Sequence, residues 1–153
     1  MAQRILLTGH RGYLGSVLAD SLLAAGHEVT GLDAGYFEDC TLLADRLRIE
    51  GRRVDLRDLE PKMLEGFDAV AHLAALSNDP IGNLNPRWTG EINTRAAVEL
   101  ARLAARAGVR RFLFSSSCIM YGAAQGEPAR LATEASPLDP RTAYARSKVD
   151  AEA

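Results

Sequence analysis

Tyr144 and Lys148 stand four residues apart in the closing stretch TAYARSKVDAEA. On a helix, positions i and i+4 share one face, so this spacing would set a phenol beside an ammonium. A phenol ionises near pH 10, too high for a base at neutral pH. A neighbouring positive charge favours the phenolate, and a tyrosine so placed could take a proton from a hydroxyl group. Alone, such a pair is an ordinary helix-surface feature. Its meaning depends on what the rest of the chain brings beside it.

Near the other terminus, LLTGHRGYLGS places glycines at 9, 12 and 15. They fall between a β-type run, RILLT, and a helix-type sequence, YLGSVLADSLLAAG. Gly9 permits a tight turn, Gly12 lets backbone approach a pyrophosphate, and Gly15 lets helix and strand pack closely. The helix N-terminus then offers free N–H groups and a positive dipole end to phosphates. Asp33 closes the next strand, HEVTGLD, where a carboxylate accepts hydrogen bonds from an adenosine ribose. It would repel a 2′-phosphate, and Ala34 and Gly35 supply no cation for one, so NAD is favoured over NADP. Arg11 is the one cation in the loop that could reach toward such a phosphate. Beside a bound nicotinamide the Tyr–Lys pair gains a purpose: Tyr144 takes a hydroxyl proton while hydride leaves the same carbon. A serine hydroxyl at the end of the fifth strand could hold the substrate oxygen.

The elements that must position these groups follow from hydrophobic pattern. After the first strand comes a helix with an apolar stripe of Leu14, Val17, Leu18 and Leu22, stopped at Gly26. HEVTGLD is the second strand, TLLADRLRIEG a helix, RRVDL the third strand and LEPKMLEGF a short helix. DAVAHLAA, Asp68 to Ala75, is the fourth strand. LSNDPIGNLNP is a loop, RWTGEINTRAAVELARLAARAG a long amphipathic helix ending at Gly108, and VRRFLFSSS the fifth strand. Alternating β and α elements with continuously apolar strands predict a doubly wound α/β fold with a parallel sheet. A long connection then reaches to about Pro140, and connections of that length are commonly functional.

Composition narrows the rest. With 153 residues and a formal charge of −2, the chain has about one domain's length and no basic field for nucleic acid. Its two cysteines, Cys40 and Cys118, have no metal-ligand spacing, so no metal site is expected and a reducing, cytoplasmic setting is. No apolar run approaches the length of a signal core or a membrane span.

TGHRGYLG, DLRD, HLAALS, SSSCIMYG and YARSK occur here in order, and together they resemble the extended short-chain dehydrogenase/reductase family. The closest likeness is to the NAD-dependent epimerase/dehydratase group acting on nucleotide sugars. The resemblance implies a Rossmann fold and a role for each matched residue. Tyr13 and Leu14 would offer N–H groups to the pyrophosphate, Asp55 and Leu56 would contact the adenine, and Leu73, Ala74 and Ala75 would line the cofactor. Asn93 would stand behind the active site. Ser117 would be the catalytic serine, four residues before the tyrosine of the YG step, with Tyr144 the base and Lys148 on the nicotinamide ribose. Cys118 and Ile119 stand where 4,6-dehydratases carry an Asp-Glu pair, which argues against that reaction. A nucleotide-sugar epimerase is therefore expected. A keto-sugar reductase is the alternative within the family, and a non-catalytic dinucleotide-binding module the alternative outside it. Relatives also imply a homodimer at full length. The last helix runs to Ala153 without a stop signal. Residues 1–153 thus read as a Rossmann domain at the start of a longer enzyme, lacking later strands and the substrate domain. In isolation such a piece is expected to be weakly stable, with its fifth strand at an open sheet edge.

Overall fold

A computed structural model describes residues 1–37, 49–122 and 131–153. The helix expected over TLLADRLRIEG and the residue Cys40 fall mainly or wholly outside these. Contacts divide the chain into two compact units, residues 1–75 with 96–115, and residues 76–95 with 116–153.

The first unit is built on five parallel strands: β1 (Arg4–Thr8), β2 (Glu28–Asp33), β3 (Glu50–Arg53), β4 (Ala69–His72) and β5 (Arg111–Phe114). Their order is β3-β2-β1-β4-β5. The chain therefore winds outward from β1 in one direction and then in the other, so the carboxyl end of β1 is the topological switch point where such sheets bind ligands. Helix α1 (Tyr13–Ala24) returns the chain from β1 to β2. One sheet face buries Ile5, Leu7, Val29, Ala69 and Ala71 against Ala19, with Leu18, Leu22 and Leu23 of α1 packed on them. Alternate residues Leu6, Leu32 and Val70 are buried as well, as two-sided covering of a parallel sheet requires. Helix α4 (Ala97–Arg106), after the two short helices given below, adds buried Leu100 and Leu103 to this unit.

The apolar stripe expected on α1 is only half right. Leu18 and Leu22 pack on the sheet, whereas Leu14 and Val17 are exposed and the buried positions are Gly15, Ser16 and Ala19. Close approach of helix to strand selects small residues there. The third strand also begins two residues earlier than RRVDL and ends at Arg53, because Asp55 leaves the sheet to cap a 3-10 turn at Leu56–Asp58. The short helix expected over LEPKMLEGF contracts to a 3-10 turn at Pro61–Leu64. Strands β4 and β5 occupy only the centres of DAVAHLAA and VRRFLFSSS, and β5 is one of the two sheet edges, with Leu113 exposed.

The second unit begins where a loop was expected. LSNDPIGNLNP instead contains helix α2 (Asp79–Leu84), capped by the Asn78 side chain. A second cap, Asn85, opens the short helix α3 (Pro86–Thr89). Loop-type composition here supplied the caps rather than a structureless connection. The long helix is likewise interrupted: Gly90–Ala96 has the wide turns of a π-helix before α4 begins. A 3-10 turn, Cys118–Tyr121, and the final helix α5 (Ala143–Glu152) complete this unit.

Candidate active site

In the first unit, the loop from Gly9 to Gly12 leaves β1 and enters α1. Gly9 has φ of +73° and a Cβ there would lie 2.8 Å from the Ala74 backbone nitrogen. A Cβ on Gly15 would overlap the Gly9 carbonyl oxygen. These positions admit no side chain, and α1 starts tight against the turn. The Gly9 N–H donates to the Leu32 carbonyl at 2.8 Å. The Arg11 N–H donates to Asp33 Oδ2 at 3.1 Å and the Gly35 N–H to Asp33 Oδ1 at 2.8 Å. Two backbone donors thus orient the Asp33 carboxylate, each oxygen keeping further acceptor capacity. A glycine cradle at a helix N-terminus with an oriented carboxylate beside it fits a dinucleotide. Tyr13 and Leu14 open α1 and are exposed.

Asp55 is more engaged than its sequence context suggested. Its oxygens accept from Arg57 N, Arg57 Nε, Arg57 Nη2 and the Tyr36 hydroxyl, at 2.6 to 2.9 Å. The Arg57 guanidinium holds this carboxyl well below the usual range. Four donors fill the acceptor capacity of a carboxylate, so an adenine amino group would have to replace one of them. Leu56 is buried. Leu73, Ala74 and Ala75 follow β4, and the Ala74 N–H donates to Thr8 Oγ1. Thr8 Oγ1 also meets His72 Nδ1 at 2.6 Å, and the His72 ring stacks on Phe114. His72 is a packed, bonded core histidine.

In the second unit, the Thr142 hydroxyl caps α5 by accepting from the Ala145 N–H at 3.0 Å. The Asn83 side chain accepts from the Ala143 N–H, and Gly82 lies against Tyr144, where a Cβ would come within 3.2 Å of the tyrosine Cβ. The helix start is thereby fixed from two sides. Tyr144 and Lys148 are 9% and 4% exposed, and Lys148 Nζ lies 5.6 Å from the Tyr144 ring centroid. The one-face geometry expected from their spacing is present, and it is buried rather than on the surface.

Ser117 opens the 3-10 turn, its hydroxyl accepting from the Ile119 N–H at 3.4 Å, and that hydroxyl is close enough to the Tyr144 phenol to act on its ionisation. Burial pushes the Tyr144 phenol up from its ordinary value, and Asp79 and Cys118 add to that, while the Ser117 hydroxyl pulls it down. Burial brings Lys148 down from 10.5 to about 8, with Glu152 partly opposing. Among the described residues, Asp79 Oδ1 is a buried oxygen with no hydrogen-bond partner.

Asn93 joins these pieces. Its Oδ1 accepts from the Leu76 N–H at 2.8 Å, and its Nδ2 donates to the Leu76 carbonyl and to Ser147 Oγ, each at 3.1 Å. Ser147 Oγ in turn donates to the Tyr144 carbonyl at 2.7 Å. The neighbouring Thr94 hydroxyl donates to the Ser147 carbonyl. Consecutive side chains reach one residue of α5 because both sit in the π-turn segment, a distortion often found at functional sites. Asn93 is therefore a buried clamp on α5. Sequence reading missed Thr142, Asn83, Gly82 and Ser147. Thr142, a threonine ahead of a helix, was the one with a local signal.

Among the described residues, no group of three or more His, Cys, Asp or Glu side chains could hold a metal ion. No helix among them is long and apolar enough to cross a membrane.

A Rossmann-type sheet with a glycine loop at its switch point, and a buried Tyr144–Lys148 pair, are the marks of a short-chain dehydrogenase/reductase. Within that class, the chain belongs to the NAD dependent epimerase/dehydratase family, whose model matches residues 5–153. It is 34% identical to a UDP-glucose 4-epimerase of Mycolicibacterium smegmatis over 156 aligned residues, which cover 97% of this chain and 49% of that protein. It is 33% identical to UDP-glucuronic acid decarboxylase 1 of Danio rerio, over 98% of this chain and 36% of that one. The structure of TunA, an NAD-dependent NDP-hexosamine 5,6-dehydratase involved in tunicamycin biosynthesis, superposes with a TM-score of 0.85 at 33% identity. That superposition covers 98% of this chain and 48% of TunA. The chain spans about half the length, or less, of these relatives. The family and these relatives are enzymes of nucleotide-sugar chemistry.

Proposed function

We propose that this chain is the NAD-binding part of a nucleotide-sugar epimerase. The observation that carries the reading is the buried pair in which Lys148 lies over the Tyr144 ring, with the Ser117 hydroxyl near the phenol. The N–H groups of Tyr13 and Leu14 at the start of α1 take the pyrophosphate, with Gly9, Gly12 and Gly15 clearing the space. Asp33 takes the adenosine ribose through the capacity that Arg11 and Gly35 leave free. Asp55 takes the adenine amino group by exchanging it for the exposed Tyr36 hydroxyl, beside the Leu56 backbone. Leu73, Ala74 and Ala75 flank the cofactor and Lys148 holds the nicotinamide ribose.

Bound there, NAD would supply the hydride acceptor and donor that oxidation of a sugar carbinol and re-reduction of the ketone require. The chain's own residues handle the proton. Ser117 orients the substrate hydroxyl, and Tyr144 takes its proton and later gives it back. The nearby Ser117 hydroxyl favours the phenolate against burial. The Lys148 ammonium and the positive nicotinamide ring favour it further. Asn93, through Ser147, holds the turn of α5 on which this depends. Of the family's chemistries, 4,6-dehydration is disfavoured because Cys118 and Ile119 cannot replace an acid pair.

The test is Tyr144→Phe in the protein encoded by the full reading frame. With a UDP-hexose such as UDP-glucose, turnover is expected to fall about 10²–10⁴-fold, the usual worth of a positioned acid–base group. NAD affinity should be retained. Unchanged turnover would leave only a dinucleotide-binding module. One-way reduction of a keto-sugar without epimerisation would favour a reductase.

A further inference from the structure

His10 lies inside the glycine loop and has no part in the chemistry above. It is 2% exposed, although it belongs to a surface turn. Its ring packs against Gly31 of β2 and Gly51 of β3, which are register partners on adjacent strands. A Cβ on Gly31 would overlap the ring, and one on Gly51 would lie 2.6 Å from Nε2. Its Nδ1 is buried and has no hydrogen-bond partner.

Each of these features works against stability. Glycine weakens a strand interior, and here two strands carry one at the same level. A buried ring nitrogen without a partner bears its full desolvation penalty. An apolar side chain at residue 10, with β-branched residues at 31 and 51, would make a better sheet. Three positions are instead given over to seating one imidazole. The residues around it show what the seat achieves. Gly9 is tied to β2 by its N–H on Leu32, and Arg11 by its N–H on Asp33. Between them, His10 fastens the loop to β2 and β3 by its side chain.

We infer that His10 is a positioning residue for the nucleotide loop, a wedge against Gly31 and Gly51 that keeps Gly9–Gly12 in the shape a pyrophosphate requires. This rests on the reading that the loop binds a dinucleotide. Because a wedge acts by shape, a flat apolar ring should replace it and a methyl group should not.

The experiment uses the protein of the full reading frame, with ADP and NAD as probes in titration calorimetry. His10→Ala is expected to weaken both by about tenfold or more. His10→Phe should bind within about threefold of the parent and also keeps a folded variant available if the alanine protein does not fold. Gly31→Ala, which drives a methyl into the ring, should weaken binding in the parent and have little further effect on His10→Ala, since residues in contact couple. A merely structural role would not give that non-additivity in affinity. Parent-like ADP affinity in His10→Ala would overturn the inference, as would full additivity with Gly31→Ala. If the parent itself binds neither probe, the dinucleotide reading fails instead. Amide exchange at Gly9, Arg11 and Gly12 then tests the wedge alone: faster in His10→Ala and parent-like in His10→Phe supports it, and unchanged rates in both refute it.

Discussion

Replacing Lys148 with methionine should make the protein more stable while abolishing turnover. Lys148 is 4% exposed, and burial moves its pKa from 10.5 to about 8. A gap of about 2.5 pH units, at about 1.36 kcal/mol each, is about 3 kcal/mol. The direction follows from proton counts. At pH 7 the lysine is protonated both folded and unfolded, and the folded state bears the whole cost of burying the charge. Between pH 8 and 10.5 the unfolded chain binds a proton that the folded one has shed, so this lysine's penalty shrinks as pH rises. Above 10.5 it is gone. Lys148→Met keeps the apolar stem and deletes the charge. It should gain up to about 3 kcal/mol at pH 7 in urea unfolding, with the advantage over the parent vanishing above pH 10.5. That is a large gain for one substitution, and it would mean that the lysine is kept for chemistry. The reasoning fails if the variant is less stable at pH 7, or if the difference between the two proteins is the same at both pH values.

Three further outcomes follow from the same geometry. Gly15→Ala forces a methyl onto the Gly9 carbonyl, and calorimetry should show NAD affinity down by about tenfold or more, with stability reduced by about 2 kcal/mol. Ser117→Ala removes the hydroxyl that lowers the Tyr144 pKa, so the acid limb of the pH–rate profile should move to higher pH; a move to lower pH would contradict the assignment. For His10, burial lowers the folded pKa below 6.5 while Asp33 and the Leu32 backbone oppose and Arg11 assists; Arg53 lies two residues beyond Gly51 on the same strand face. The unfolded chain then binds the extra proton below pH 6.5, and stability should decline as pH falls from there toward the folded pKa. Thermal unfolding of His10→Phe should lack that share of the decline.

The strands and the glycine loop were legible because their signals are local: apolar runs, glycine spacing, and an acid at a strand end. The Tyr144–Lys148 face was legible for the same reason, as helix period needs nothing but spacing. What the residues around it do was not. Asn93 is one polar residue in an amphipathic helix, and its clamp exists only because the helix widens at Gly90–Ala96. The Asn, Pro and Gly of LSNDPIGNLNP read as loop, yet Asn78 and Asn85 cap helices with Pro80 and Pro86 in their first turns. The stripe on α1 misled because packing at Gly15 and Ala19 is governed by closeness, not hydrophobicity. His10 gave no sequence signal, since its partners are two glycines brought together only by β2–β3 pairing.

The most direct measurement follows reduced nicotinamide by stopped-flow absorbance in the full-reading-frame protein charged with NAD and mixed with a UDP-hexose, beside its Tyr144→Phe variant. In the parent, reduced cofactor should form and decay as the epimer appears. In the variant, NAD should be bound as tightly and none of it reduced. Reduction at the parent rate in Tyr144→Phe, or epimer formed by the parent without any reduced cofactor, would contradict it.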